Sequence, residues 1–141
     1  MLKLGLPAGS LQKATVDLLG KAGLHVCDSK RSYCPAIDDD EIQAVYLRAQ
    51  EMGRYVGDGV LDAGITGLDW ITENGCDVRE VCELPYSKET SNPTRWVLAV
   101  PNESPVTRPE DLAGGIVATE LVGVTKRYFE ARRIPVKVEF S

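Results

Sequence analysis

Asp58-Gly-Val-Leu-Asp-Ala-Gly-Ile-Thr-Gly-Leu-Asp-Trp70 decides the fold. Gly57 and Gly59 break the preceding helix, Val60–Ile65 is a short apolar run of strand character, and Gly67 turns the chain into a new helix. A strand running through a glycine turn into a helix is the repeating unit of parallel α/β sheets. It also aims free backbone N–H groups, and the positive end of a helix dipole, at whatever lies beyond the strand. The chain opens with a second junction of this kind. Lys3–Leu6 is extended, Pro7-Ala8-Gly9-Ser10 turns, and a helix follows. Two such mouths suit a phosphorylated or otherwise anionic small molecule.

Working outward, Leu2, Leu4 and Leu6 alternate as a strand. Leu11, Ala14, Leu18, Leu19 and Ala22 have helical spacing, with Ser10 as expected N-cap and Gly23 as stop. Leu24–Cys27 reads as a strand, Asp28–Asp40 as a loop, and Ile42–Leu47 as a strand ending at Arg48. Met52, Tyr55 and Val56 mark a short helix, Leu68–Asn74 a helix ended by Gly75, and Val78–Leu84 an extended segment. The order β-α-β-β-α-β-α-β predicts a parallel-rich α/β sheet. The polar, proline-bearing Ser87–Thr94 is the expected crossing between two lobes, 1–90 and 91–141. The second lobe then reads as a strand at Trp96–Val100, a brief helix at Pro109–Leu112, a strand at Ile116–Thr119, a helix through Thr125, Tyr128 and Phe129, and an alternating strand at Val136–Phe140. A chain ending on an alternating strand, with no return path to the first lobe, reads as truncated.

Composition excludes several classes. The 141 residues are 43% hydrophobic and 26% charged, as in soluble globular chains, and carry a formal charge of −5. That charge argues against a general nucleic-acid binder. No apolar run approaches the ~18 residues of a membrane span. The opening Met1-Leu2-Lys3-Leu4-Gly5 has no signal-peptide pattern. Cys27, Cys34, Cys76 and Cys82 form no Cys-x-x-Cys pair beside the lone His25, so they read as idle thiols of a reducing cytoplasm rather than a metal site.

The candidate site residues each carry two readings. Leu6–Leu11 is an anion-facing turn or an ordinary connection, and it lacks the spacing of a P-loop. Of the cations Arg31, Arg48, Arg54 and Arg95, Arg48 stands at the C-terminal end of a strand, where open α/β sheets place their ligands. It is a phosphate ligand or one half of a surface ion pair. Arg31 folds over a phosphate or faces water. Asp69 accepts from ribose hydroxyls or complements the helix dipole. Asp38-Asp39-Asp40-Glu41 attracts magnesium or is a solvated loop. Glu120, after the strand Ile116–Thr119, would face a cleft in a two-lobed chain.

Six segments in this order and spacing resemble one family, ATP phosphoribosyltransferase, the first enzyme of histidine biosynthesis. They are Leu6-Pro-Ala-Gly-Ser-Leu11, Arg31-Ser-Tyr33, Leu47-Arg-Ala-Gln50, Tyr55-Val-Gly-Asp-Gly59, Asp62-Ala-Gly-Ile-Thr-Gly-Leu-Asp-Trp70 and Ala118-Thr-Glu120. The resemblance implies a two-lobed α/β core like type II periplasmic binding proteins, with the site in the cleft between the lobes. It implies a cytoplasmic glycosyltransferase that joins N1 of ATP to C1 of phosphoribosyl pyrophosphate with Mg²⁺ and releases pyrophosphate. Gly9, Ser10, Leu11 and Gly67 would line the site, Arg31 and Arg48 would contact phosphates, and Asp69 and Glu120 would lie near substrate. No catalytic side chain, protein-held metal, nucleic acid or membrane is implied, and a homo-oligomer is. Two departures stand out. Ala8 replaces a lysine that many members carry, and the family's phosphate loop of the second lobe lies beyond Ser141, as does the regulatory domain of long forms. The resemblance therefore implies an incomplete second lobe and an inactive isolated chain. A non-catalytic solute-binding module on the same plan is the alternative.

Overall fold

The computed structural model describes residues 1–27, 32–84, 86 and 95–141. Two compact units divide the chain, Met1–Thr94 and Arg95–Ser141, and each contains parallel strands. The expected crossing at Ser87–Thr94 lies outside the described residues, as does Arg31.

In the first unit, β1 (Leu2–Pro7) leads through a 3-10 turn (Gly9–Leu11) into α1 (Gln12–Lys21). A two-residue hairpin, β2 (Val26–Cys27) with β3 (Ala36–Ile37), precedes β4 (Ile42–Leu47), α2 (Ala49–Gly57), β5 (Ala63–Gly64) and α3 (Leu68–Asn74). The main sheet has the order β4-β1-β5, all parallel. The chain thus leaves β1 toward one side for β4, then crosses to the other side for β5.

The two faces of β1 are built differently, because successive residues point to opposite faces. Leu6 is fully buried and joins Ala44 and Tyr46 in a core packed by Leu4, Leu19 of α1, Val26 and Ile37. Burying one such leucine contributes about 1.5–3 kcal/mol. The opposite face presents Gly5 beside Gly64 of β5. A Cβ on Gly5 would meet Met52 Sδ and would lie 2.8 Å from Leu61 Cδ1, and one on Gly64 would lie 2.6 Å from Met52 Cγ. The paired glycines form a notch that Met52 of α2 fills, with no exposure of its own. Helices α1 and α2 therefore cover opposite faces.

Local signals set the helix ends. Gly23 adopts φ +87° after α1, and the N–H groups of Gly23 and Leu24 donate to the carbonyls of Gly20 and Leu19, a Schellman closure. Gly75 closes α3 in the left-handed conformation, as its position after Asn74 predicts.

Several expectations are corrected. Ser10 is no N-cap: the chain tightens into the 3-10 turn first, and the cap positions fall on Ala8 and Leu11, neither of which forms a side-chain cap bond. The Asp28–Asp40 loop contains β3, paired to β2. Helix α2 begins at Ala49, directly after Arg48. The strand expected over Val60–Ile65 shrinks to Ala63–Gly64, because the Val60 and Leu61 N–H groups both donate back to the Tyr55 carbonyl. Val78–Leu84 and Trp96–Val100 join no ladder among the described residues. A strand requires a neighbour for its backbone groups, and apolar content alone supplies none. Val81, Trp96 and Val97 are accordingly exposed.

The second unit pairs β6 (Ile116–Thr119) in parallel with β7 (Lys137–Phe140) across α4 (Val122–Ala131). The brief helix expected at Pro109–Leu112 is a 3-10 turn. Leu121, Phe129 and Ile134 are its buried apolar side chains among the described residues. Helix α4 also ends in a Schellman closure, in which Arg133, at φ +56°, and Ile134 donate to the carbonyls of Glu130 and Phe129. No helix among the described residues is long and apolar enough to cross a membrane.

Candidate functional site

Three parallel strands ending at one edge of a sheet bring three turns together: Ala8–Leu11 after β1, Arg48 after β4, and Ile65–Gly67 after β5. In open α/β sheets ligands bind at this edge, beside the strand where the chain reverses direction. That strand here is β1. Two hydrogen bonds tie the turns to one another. The Ala8 N–H donates to the Leu47 carbonyl at 2.7 Å, and the Thr66 hydroxyl donates to the Ala49 carbonyl at 2.7 Å.

The first turn is shaped by Gly9, which has φ +84° and open space where a Cβ would stand. Its glycine answers a backbone requirement rather than a packing one. Neither Ala8 nor Leu11, the two cap positions, supplies a side-chain oxygen to the N–H groups that open this turn and α1, and the Gln12 N–H donates to the Gly9 carbonyl. Arg48 is the exposed N-cap residue of α2, in extended conformation. Its guanidinium makes no ion pair among the described residues, so the surface-pair reading finds no partner there.

The third turn differs from expectation. Asp69 lies in the first turn of α3, and its carboxylate accepts the Trp70 N–H at 2.9 Å while resting against the Cα of Gly67. A Cβ at Gly67 would strike that carboxylate oxygen. The mouth at Gly67 therefore already holds a negative charge of the chain's own, satisfying the dipole from within. The sheet edge brings Gly9, Ser10, Leu11, Arg48, Gly67 and Asp69 together. Glu120, exposed at the C-terminal end of β6, belongs to the second unit. Arg31 is outside the described residues, although Tyr33, two residues on, accepts the Tyr46 N–H of β4 at 2.7 Å.

The acidic run splits into local contacts. Asp38 bonds His25 twice, from the backbone N–H at 2.6 Å and from imidazole Nδ1 at 2.7 Å. Asp39 accepts the Glu41 N–H at 2.8 Å. Among the described residues no cluster of three His, Cys, Asp or Glu side chains is arranged to hold a metal ion. A groove between α2 and the end of α3 is walled by Glu51, Asp58 and Asp77 with the candidate cation Arg54, apart from the residues gathered at the sheet edge. Its excess of carboxylates suits no phosphate.

The His25 backbone N–H, followed by its imidazole, holds the Asp38 carboxyl below the ordinary aspartate range. A carboxyl depressed in the folded state stabilises above the unfolded pKa, and that contribution is lost as pH falls through the folded value. The β2–β3 hairpin is expected to loosen only below the usual aspartate midpoint, and Asp38→Asn should abolish this step. A carbon-detected NMR titration of the Asp38 carboxyl checks it; an ordinary midpoint contradicts it.

Sequence reasoning missed Thr66 as the tie between turns, and it missed Thr15. The Thr15 hydroxyl, fully buried, donates to the Leu11 carbonyl at 2.8 Å and lies 2.7 Å from the Tyr86 hydroxyl. A threonine four residues after the turn was the available signal, since threonine in a helix bonds back one turn.

The chain is similar to known proteins of one family. The family model described as HisG: ATP phosphoribosyltransferase matches residues 48–141. An ATP phosphoribosyltransferase of Koribacter versatilis is 59% identical over 99% of this chain and 48% of its own length. One from Geotalea daltonii is 57% identical over 100% of this chain and 48% of its own. The chain thus spans about half the length of the curated relatives it matches. A solved structure, the ATP phosphoribosyl transferase (HisG:HisZ) complex from Thermotoga maritima, aligns with a TM-score of 0.76 at 25% identity, covering all of this chain and 64% of that one.

Proposed function

The chain belongs to the ATP phosphoribosyltransferase family, and from that premise we propose that this protein transfers the phosphoribosyl group of phosphoribosyl pyrophosphate to N1 of ATP, releasing pyrophosphate, in histidine biosynthesis. The observation that carries the reading is the meeting of the uncapped Gly9–Leu11 turn with Arg48 at one sheet edge. Both substrates are polyphosphates, and this edge offers groups that suit a phosphate: a glycine turn with no side-chain cap from Ala8 or Leu11, the start of a helix, and a guanidinium without an ion-pair partner among the described residues.

The reaction displaces pyrophosphate from an anomeric carbon. Positive charge grows on the ribose while negative charge grows on the departing oxygens. Arg48 and the N–H groups of Gly9, Ser10 and Leu11 would bind and stabilise phosphate oxygens, and Asp69 would lie toward the nucleotide. No covalent nucleophile is required. Mg²⁺ would neutralise phosphate charge when bound together with the substrate phosphates, commonly keeping several waters and needing only one or two carboxylates. Arg31 and Glu120 complete the proposed set. The order β4-β1-β5 supports a two-lobed plan of the type II periplasmic-binding-protein kind. A cytoplasmic homo-oligomer is part of the same proposal.

Phosphoribosyl-ATP formation, followed by absorbance with ATP, phosphoribosyl pyrophosphate and Mg²⁺, tests it on the native protein. Turnover is expected of the native protein and not of these 141 residues in isolation, which span about half the length of the relatives they match. Calorimetric binding of amino acids, with none of ATP or phosphoribosyl pyrophosphate, would instead make it a solute-binding module.

A further inference from the structure

Tyr86 touches the candidate site through one intermediary, although it lies 71 residues from that intermediary in sequence. Thr15 Oγ has one proton to give. The Leu11 carbonyl can only accept, and it sits 2.8 Å away, so that proton is spent there. At the 2.7 Å contact with Tyr86 the phenol must then donate to the Thr15 oxygen. The result is a directed relay, Tyr86 O–H to Thr15 Oγ to Leu11 C=O. It ends on the last residue of the 3-10 turn, which is also the N-cap of α1.

The Ala8 N–H bond to the Leu47 carbonyl ties the start of this turn to a distant segment, and the relay ties its end. Neither Ala8 nor Leu11 forms a side-chain cap bond, Gly9 is conformationally free, and the cap bond at its end is the Gln12 N–H to the Gly9 carbonyl. Thr15 is wholly buried with Tyr86 in place, so the phenol both covers its oxygen and donates to it. A threonine bonding back along its own helix is common and needs no phenol. The second bond, from a distant residue, is what the helix alone does not explain.

We propose that Tyr86 is a positioning residue that holds the Gly9–Leu11 turn in its phosphate-facing geometry through Thr15. The role rests on the reading of that turn as a phosphate site, and two measurements separate the two ideas. Amide hydrogen exchange reports the turn itself, whereas calorimetry with inorganic pyrophosphate and with ATP reports the site.

In the native protein, Tyr86→Phe keeps the ring and removes only the donor. Exchange at the amides of Ser10, Leu11 and Gln12 is expected to quicken several-fold. The dissociation constant for pyrophosphate or ATP should rise roughly three- to tenfold, the range of one neutral hydrogen bond. The KM for the phosphate substrate should rise by the same factor with kcat little changed. Thr15→Ser retains the relay and should behave as the unaltered protein, whereas Thr15→Val should reproduce the Tyr86→Phe effects. Unchanged exchange in Tyr86→Phe overturns the positioning role whatever the site binds. Faster exchange with unchanged phosphate affinity leaves the relay intact but removes the turn from the phosphate site, and so overturns the proposal at its premise. Should Tyr86→Phe fold poorly, the Thr15→Ser and Thr15→Val pair decides: equal affinity in both overturns the proposal.

Discussion

Arg48→Ala is expected to weaken binding of the phosphate-bearing substrate about ten- to a hundredfold. The side chain is exposed at the C-terminal end of β4 and has no ion-pair partner among the described residues. Its guanidinium is therefore available to phosphate oxygens without first breaking a bridge there. A hydrogen bond to a charged group contributes about 1.5–3 kcal/mol, and about 1.4 kcal/mol corresponds to a factor of ten. Stability should hardly change, because Arg48 forms no side-chain cap bond at α2 and buries no charge. Calorimetric titration and KM with each substrate, set beside a urea melt, separate the two effects. Unchanged affinity and turnover would return Arg48 to the ordinary surface.

Met52→Ala is the second large expectation, and it concerns the frame. Met52 is fully buried in the notch between Gly5 and Gly64, where α2 meets the sheet. Removing it leaves a cavity whose floor is two glycines, and these have no side chains with which to fill it. Large-to-small substitutions in cores cost about 2–5 kcal/mol, more where the site collapses poorly. Against a total stability of about 5–15 kcal/mol, that is a substantial share. Met52→Leu, nearly equal in volume, should cost less than about 1.5 kcal/mol. Urea unfolding of both variants checks the pair. Equal, small losses would mean that the notch is not tightly packed.

The same notch shows how far the sequence could be read. The alternation of Leu4 and Leu6 with Lys3 and Gly5 correctly predicts β1. Alternation alone does not say what covers the glycine face. In fact both faces are covered, by α1 and α2, and Gly5 is bare because a methionine occupies its side-chain space. A glycine needed for close approach looks in sequence like a glycine needed for nothing. Asp69 gives the parallel case at the site. Its position near a helix start is plain from the sequence, but its return against Gly67, which fills the mouth expected to be open, is not.

By itself, the sequence determined what depends on neighbours within a turn or two. The stops at Gly23 and Gly75, the strand Ile42–Leu47 and the helix Leu68–Asn74 follow from backbone freedom and hydrophobic period, both local quantities. The motifs around Leu6–Leu11, Leu47–Gln50 and Asp62–Trp70 likewise carried the family. Only the tertiary structure decided which turns meet. Ala8 on Leu47, Thr66 on Ala49 and Tyr86 on Thr15 are hydrogen bonds between segments far apart in the chain, and no residue announces its distant partner. The same reason separates Ile42–Leu47 from the equally strand-like Trp96–Val100: one has β1 beside it to complete its backbone bonds, and the other has no ladder partner among the described residues.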